Sequence, residues 1–277
     1  MFLKAGKLKV KNIQDIMEVY APIILKEDYD NVGLMVGDSD SEVSKILIAL
    51  DCTLEVISEA MHEGCNFILT HHPLLFNRPK TITTDTLIGR KIIELIKNDI
   101  NVYASHTNLD SARGGLNDIA TELLGFNKYK IIEPLKNLDF SEANNSGIGR
   151  LVILDEPVTL GALCENVKSA FNIDFIRYIG SLDDLITTIA IVNGSGEDFF
   201  DESVKAGADC IITGDTKYHH SCDLKEENIA LIDAGHFGTE WTPLKIFGEK
   251  LKKQLIEAGY DNEVIISESA QDPYKTI

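Results

Sequence analysis

The sequence predicts an α/β fold of two similar domains with mixed, largely parallel sheets. Three observations carry that expectation. Short apolar runs rich in Ile, Val and Leu alternate with amphipathic stretches of helix length, the pattern of strands joined through helices. The 277 residues, 44% of them hydrophobic, supply core for one large domain or two of ordinary size. In addition, Glu59–Thr70 lies over Glu202–Thr213 without a gap, matching Glu, Gly and Thr, so the halves read as copies of one α/β unit. The expected domains are 1–125 and 126–277.

Residues 12–25 carry Ile13, Ile16, Met17 and Tyr20 at helical spacing, an amphipathic helix that Pro22 ends or bends. Tyr29-Asp30-Asn31-Val32-Gly33 is a turn signal feeding the apolar Leu34-Met35-Val36. Lys45–Leu50 is a buried strand and 53–63 a helix stopped by Gly64, after which strand 66–70 delivers His71-His72-Pro73. Helix 85–98 and strand 100–105 repeat the alternation and lead into His106-Thr107-Asn108-Leu109-Asp110, and Gly114-Gly115 opens a helix up to Gly125. The pattern weakens over 126–150, where Asn144–Gly149 reads as a loop. It resumes with strand 150–154, helix 159–170, strands 174–179 and 187–192, helix 198–206 and strand 209–213. Helix 216–226, strand 229–233, a long helix over 242–258 and strand 263–267 complete the chain.

Composition excludes several classes. Lys and Arg number 26 against 44 Asp and Glu, and the resulting net charge of -18 disfavours nucleic acid and anionic membrane surfaces. Lys4, Lys7, Lys9 and Lys11 precede no apolar leader segment, and no run approaches the roughly 18 apolar residues of a membrane span, so a cytoplasmic protein is expected. Five cysteines without a Cys-x-x-Cys pair read as reduced, mostly buried thiols.

The chemistry-bearing residues gather at strand ends: His71, His72, His106, Asp110, His236 and Glu240. In open α/β sheets ligands collect beyond those ends. Neutral imidazole with carboxylate suits Zn, Fe, Mn, Ni or Co, more than four donors leave room for two ions, and a carboxylate such as Asp110 can bridge them. His219-His220 is also a double histidine, but at a predicted helix start successive side chains diverge by about a hundred degrees. His220 is therefore expected at the surface, and His219 either there or orienting a group near the cleft. Gly194-Ser195-Gly196 reads as a tight strand-to-helix turn, with phosphate contact through its amides as the alternative. There is no Gly-x-Ser-x-Gly elbow and no Walker lysine; Cys52 and Cys222 are the weaker candidates for a nucleophile.

Thr70-His71-His72-Pro73-Leu74-Leu75-Phe76, His106-Thr107-Asn108-Leu109-Asp110 and Asp233-Ala234-Gly235-His236-Phe237-Gly238-Thr239-Glu240 resemble the three signatures of the Nif-three-like dinuclear-metal family, the GTP cyclohydrolase I type 2 homologues. Asp30-Asn31-Val32-Gly33-Leu34 and Thr213-Gly214-Asp215 also match its pattern. The resemblance implies two similar α/β domains, a di-metal cleft between them and a ring-like homohexamer. It implies His71, His72, Asp110, His236 and Glu240 as metal ligands with Asp110 bridging, and leaves His106 to orient a ligand or transfer a proton. Tyr29 stands where the family often has Trp, and the central domain of longer members is missing.

The leading expectation is a dinuclear metal-dependent hydrolase of unknown small-molecule substrate, cyclohydrolase-like or cleaving an amide or phosphoester. A metal ion can lower the pKa of water from 15.7 to about 7, and His106 or His219 would shuttle the proton. A metal-binding or metal-delivery protein and an oligomeric interaction scaffold are the alternatives.

Overall fold

The computed structural model describes residues 6–135 and 146–276. It divides into two compact units. The first holds the residues up to Leu109 together with Leu244–Gln271; the second holds Asp110–Pro243 and the residues from Asp272 on. This partition differs from a single cut at 125/126. The C-terminal strand pairs back into the first unit, and Asp110 falls in the second.

The first unit contains helix α1 (Val10–Tyr20), strand β1 (Gly33–Val36), β2 (Ile46–Ala49), α2 (Leu54–Glu63), β3 (Phe67–Thr70), α3 (Leu87–Lys97), β4 (Asn101–Ala104) and β11 (Val264–Ile266). Its sheet runs β1-β4-β3-β2-β11, with only β1 antiparallel. The expected helix over 12–25 stops at Tyr20, and Ile23–Leu25 after Pro22 form a short 3-10 turn. Helix α2 has the predicted caps: Thr53 Oγ1 accepts from Val56 N at 3.1 Å, and Gly64 closes the helix at φ 70°. Strands β2, β3 and β4 are buried at every position, so the sheet is covered on both faces.

The second unit contains α5 (Leu116–Leu123), β5 (Lys130–Pro134), β6 (Gly147–Thr159), α6 (Leu160–Phe171), β7 (Arg177–Ile179), β8 (Leu185–Ser195), α7 (Phe200–Lys205), β9 (Cys210–Gly214), α8 (Tyr218–Glu226) and β10 (Ala230–Asp233). Its sheet runs β5-β6-β8-β9-β10-β7, parallel across β8-β9-β10 and antiparallel elsewhere. Of the expected loop, Asn144 and Asn145 lie outside the described residues, while Gly147–Gly149 already belong to β6. Arg150 on β6 is buried against Asp118 on α5, and also donates to the carbonyls of Gly147 and Gly149 at 2.7 and 2.9 Å.

Two helices cross the division. The short α4 (Thr107–Ser111) forms where the sequence pattern predicts only the end of a strand, and α9 (His236–Glu257) starts six residues before the predicted 242. Thr242-Pro243 imitates an N-cap followed by a first-turn proline, which explains the late start in the sequence prediction. Thr242 Oγ1 instead donates to the Phe171 carbonyl at 2.8 Å, and the helix continues through Pro243.

The duplication is visible in the topology. Strands β1-β4-β3-β2 and β7-β10-β9-β8 repeat one order, one sequence of appearance and one set of directions. Thr70 pairs with Ala104 in the first unit as Thr213 pairs with Asp233 in the second.

Candidate metal centre

In the first unit, β3 and β4 end side by side and bring three histidines together. The rings of His71, His72 and His106 have centroids 5.2, 5.1 and 5.6 Å apart, and each offers a nitrogen within 4.8 Å of the others. The main chain seats the first two: His71 N donates to Ala49 O at 3.3 Å and His72 N to Leu50 O at 2.9 Å, and Thr70 Oγ1 donates to His72 O at 2.8 Å. Each ring is then turned by its Nδ1. His71 Nδ1 lies 2.9 Å from the Ser105 carbonyl, His72 Nδ1 2.9 Å from Asp51 Oδ1, and His106 Nδ1 2.9 Å from Asp30 Oδ1. A carbonyl or carboxylate only accepts, so each Nδ1 carries the hydrogen and the ring lone pair is on Nε2.

Asp30 is 6% exposed, and burial alone would raise its carboxyl pKa. Its bonds to His106 and to the Thr107 hydroxyl and amide outweigh that and hold it down at about 2. Asp30 is thus an ionised anchor for His106.

In the second unit the corresponding strand ends carry a different set. His236 and Glu240 stand one turn apart on α9, with His236 Nε2 3.0 Å from Glu240 Oε2. Asp215 Oδ2 takes His236 Nδ1 at 2.8 Å, the arrangement already seen for His72 and Asp51. Asp215 has φ 54°, a left-handed conformation that Asp tolerates better than most residues. Before it, Gly214 packs so closely on the start of α9 that a Cβ would come within 2.7 Å of Gly235 and His236 backbone atoms. Asp110 is tied to the same sheet end: Asn117 Nδ2 donates to its carbonyl at 3.2 Å, and Asn117 Oδ1 accepts from Asn193 N at 3.1 Å. Asp110 and Glu240 are both largely buried.

Of the residues singled out from the sequence, His71, His72 and His106 form one group, and His236 pairs with Glu240. His219 is exposed with its ring edge-on to Tyr218, and joins no donor group among the described residues; His220 lies 3.3 Å from Glu197. The amides of Gly194 and Gly196 donate to Thr239 and Thr213 hydroxyls at 3.0 Å, which removes the phosphate-contact alternative. All five cysteines are free thiols, and burial pushes Cys52 up to about 12, which makes it a poor nucleophile. Sequence reasoning missed the roles of Asp51, Asp215 and the Ser105 carbonyl. Asp215 did carry a signal, since it stands where the repeat places His72.

Imidazoles fixed as Nδ1–H tautomers by carboxylates and a carbonyl, together with buried carboxylates, are the donor chemistry of borderline divalent ions. The fold and these side chains define an α/β protein with histidine and carboxylate groups at its strand ends that could hold a metal ion. Residues 8–273 match the profile of Duf34/NIF3 (NGG1p interacting factor 3), and the chain belongs to that family. A GTP cyclohydrolase 1 type 2 homolog of Clostridium acetobutylicum is 52% identical over 268 residues, spanning 97% of this chain and 98% of the relative. Among solved structures, the Staphylococcus aureus hypothetical protein SA1388 superposes with a TM-score of 0.90 at 31% identity, covering 98% of this chain and 100% of that one. Reduced HcgD from Methanocaldococcus jannaschii superposes with a TM-score of 0.79, also at 31% identity, covering 95% and 99%. No helix among the described residues is long and apolar enough to cross a membrane.

Proposed function

We propose that the protein is a hydrolase dependent on two divalent metal ions (Zn, Fe, Mn, Ni or Co) held by His71, His72, Asp110, His236 and Glu240. One observation carries the proposal: the Nδ1 of His71 and His72 is committed to an oxygen acceptor, which makes Nε2 the basic nitrogen of each ring, and His236, held at Nδ1 by Asp215, turns its Nε2 to Glu240 Oε2 at 3.0 Å. Divalent ions of this class supply Lewis acidity that polarises a scissile bond and lowers the pKa of water from 15.7 to about 7. The remaining steps belong to the chain itself. Ionised Asp30 orients His106 through Nδ1, so His106 takes a proton at Nε2 and returns it to the leaving group.

The names of the relatives put purine nucleotides first among substrates to try, followed by cyclic amides and phosphoesters. The working assembly is a homo-oligomer, a hexamer by family resemblance. The test is to strip the protein, reconstitute it with each ion and screen those substrates. Turnover with at least one ion, abolished by Asp110→Asn, is expected. Turnover that persists in Asp110→Asn at full metal occupancy overturns the mechanism, and metal binding without turnover across the screen favours a delivery role.

A further inference from the structure

The end of β8 has a feature that the metal ligands alone do not explain. Gly194 has φ 60°, and a Cβ built on it would lie 2.0 Å from Glu240 Oε1 and 3.3 Å from His236 Nε2. The glycine is locked in this position. Its amide donates to Thr239 Oγ1 at 3.0 Å, its carbonyl accepts from Thr213 Oγ1 at 3.1 Å, and Thr239 lies between His236 and Glu240 on α9. Glu240 consequently has two differently placed oxygens: Oε2 faces His236 Nε2, and Oε1 rests over the space that a side chain at 194 would fill.

We propose that Gly194 is a positioning residue whose missing side chain seats the Glu240 carboxylate beside His236. This rests on the metal-binding role given above. The atom in the way is the tip of a side chain, whereas at Gly214 it is backbone. A methyl at 194 is therefore accommodated by moving the carboxylate while the fold persists. Glu240 is only 4% exposed, so the displaced carboxylate leaves its donor position with little room to find another.

The experiment compares Gly194→Ala with Gly207→Ala. Gly207 also has a left-handed backbone, φ 93°, but nothing within 4 Å of its Cβ position, so it reproduces the strain without the contact. Thermal unfolding reports the strain, and Zn2+ affinity by chelator competition reports the donor. Both variants should stay folded, Gly194→Ala the less stable because it also displaces a buried carboxylate, while only Gly194→Ala should lose Zn2+ affinity, by roughly 10- to 100-fold. Adding Glu240→Asp, a carboxylate one methylene shorter, should recover part of that loss. Equal Zn2+ affinity in the two alanine variants overturns the proposal alone; a wild-type protein that binds neither Zn2+ nor any other ion of the proposed set removes the metal role with it. A Gly194→Ala protein that fails to fold and is not restored by Glu240→Asp also overturns it, because the clash would then lie elsewhere.

Discussion

Asp51 and Asp215 each hold the Nδ1 of a histidine at 2.8 to 2.9 Å, and each belongs to the same unit as its ring. Neither is proposed as a ligand, yet each fixes the ring it holds and sets where its Nε2 points. Asp51→Asn and Asp215→Asn should therefore lower metal affinity roughly 10- to 100-fold while circular dichroism stays unchanged. Asp30 gives a prediction in pH. Its pKa is depressed in the folded chain, from 3.8 to about 2, so its contribution is complete above the unfolded value and is lost as pH falls through about 2. Asp30→Asn should cost roughly 2 kcal/mol in denaturant unfolding at pH 7, with the gap to wild type closing below about pH 4. His71-His72 was legible in the sequence because paired imidazoles leaving a strand are unusual. The carboxylates behind them were not, because any of 44 acidic residues looks alike until strand register brings one within reach of a ring.

At the scale of elements, α9 shows what the sequence hid. His236 and Glu240 were visible as strand-end residues, but their placement one turn apart on a helix was masked by the false start signal at Thr242-Pro243. Beyond Pro243 the same helix buries Leu244, Phe247, Leu251 and Leu255 completely, all within the first unit. Phe247 meets the Tyr20 ring edge-on at 5.8 Å, and β11 pairs with β2 from Val264↔Ile46 to Ile266↔Ile48. These are long-range partners that no local pattern reveals. A fragment of residues 1–125 lacks all of them, and should show neither a cooperative unfolding transition nor protected amides in hydrogen exchange. A cooperatively folded fragment would contradict the packing described for the first unit. The Arg150–Asp118 pair is the corresponding test in the second unit. Removing one partner strands a buried charge, so Arg150→Ala should destabilise by about 3–5 kcal/mol in urea unfolding, far more than an exposed arginine would.

Across the whole molecule, a nearly symmetric chain carries an asymmetric set of donors. The repeated strands were readable from the matched Glu59–Thr70 and Glu202–Thr213 segments, and the sheets repeat their order and direction. The duplicated strand ends have nonetheless diverged: where the first copy places His71-His72, the second places Gly214-Asp215, a close-packed glycine and an orienting carboxylate. His106 with Asp110 and His236 with Glu240 keep the same four-residue spacing, so this histidine-carboxylate pair persists in both copies while the preceding strand ends differ. Metal stoichiometry tests most directly whether these positions hold two ions. After stripping and reconstitution, elemental analysis should find about two equivalents of divalent metal per chain, falling in His72→Ala and Glu240→Ala. Fewer than one equivalent in the wild-type protein would contradict a two-ion centre.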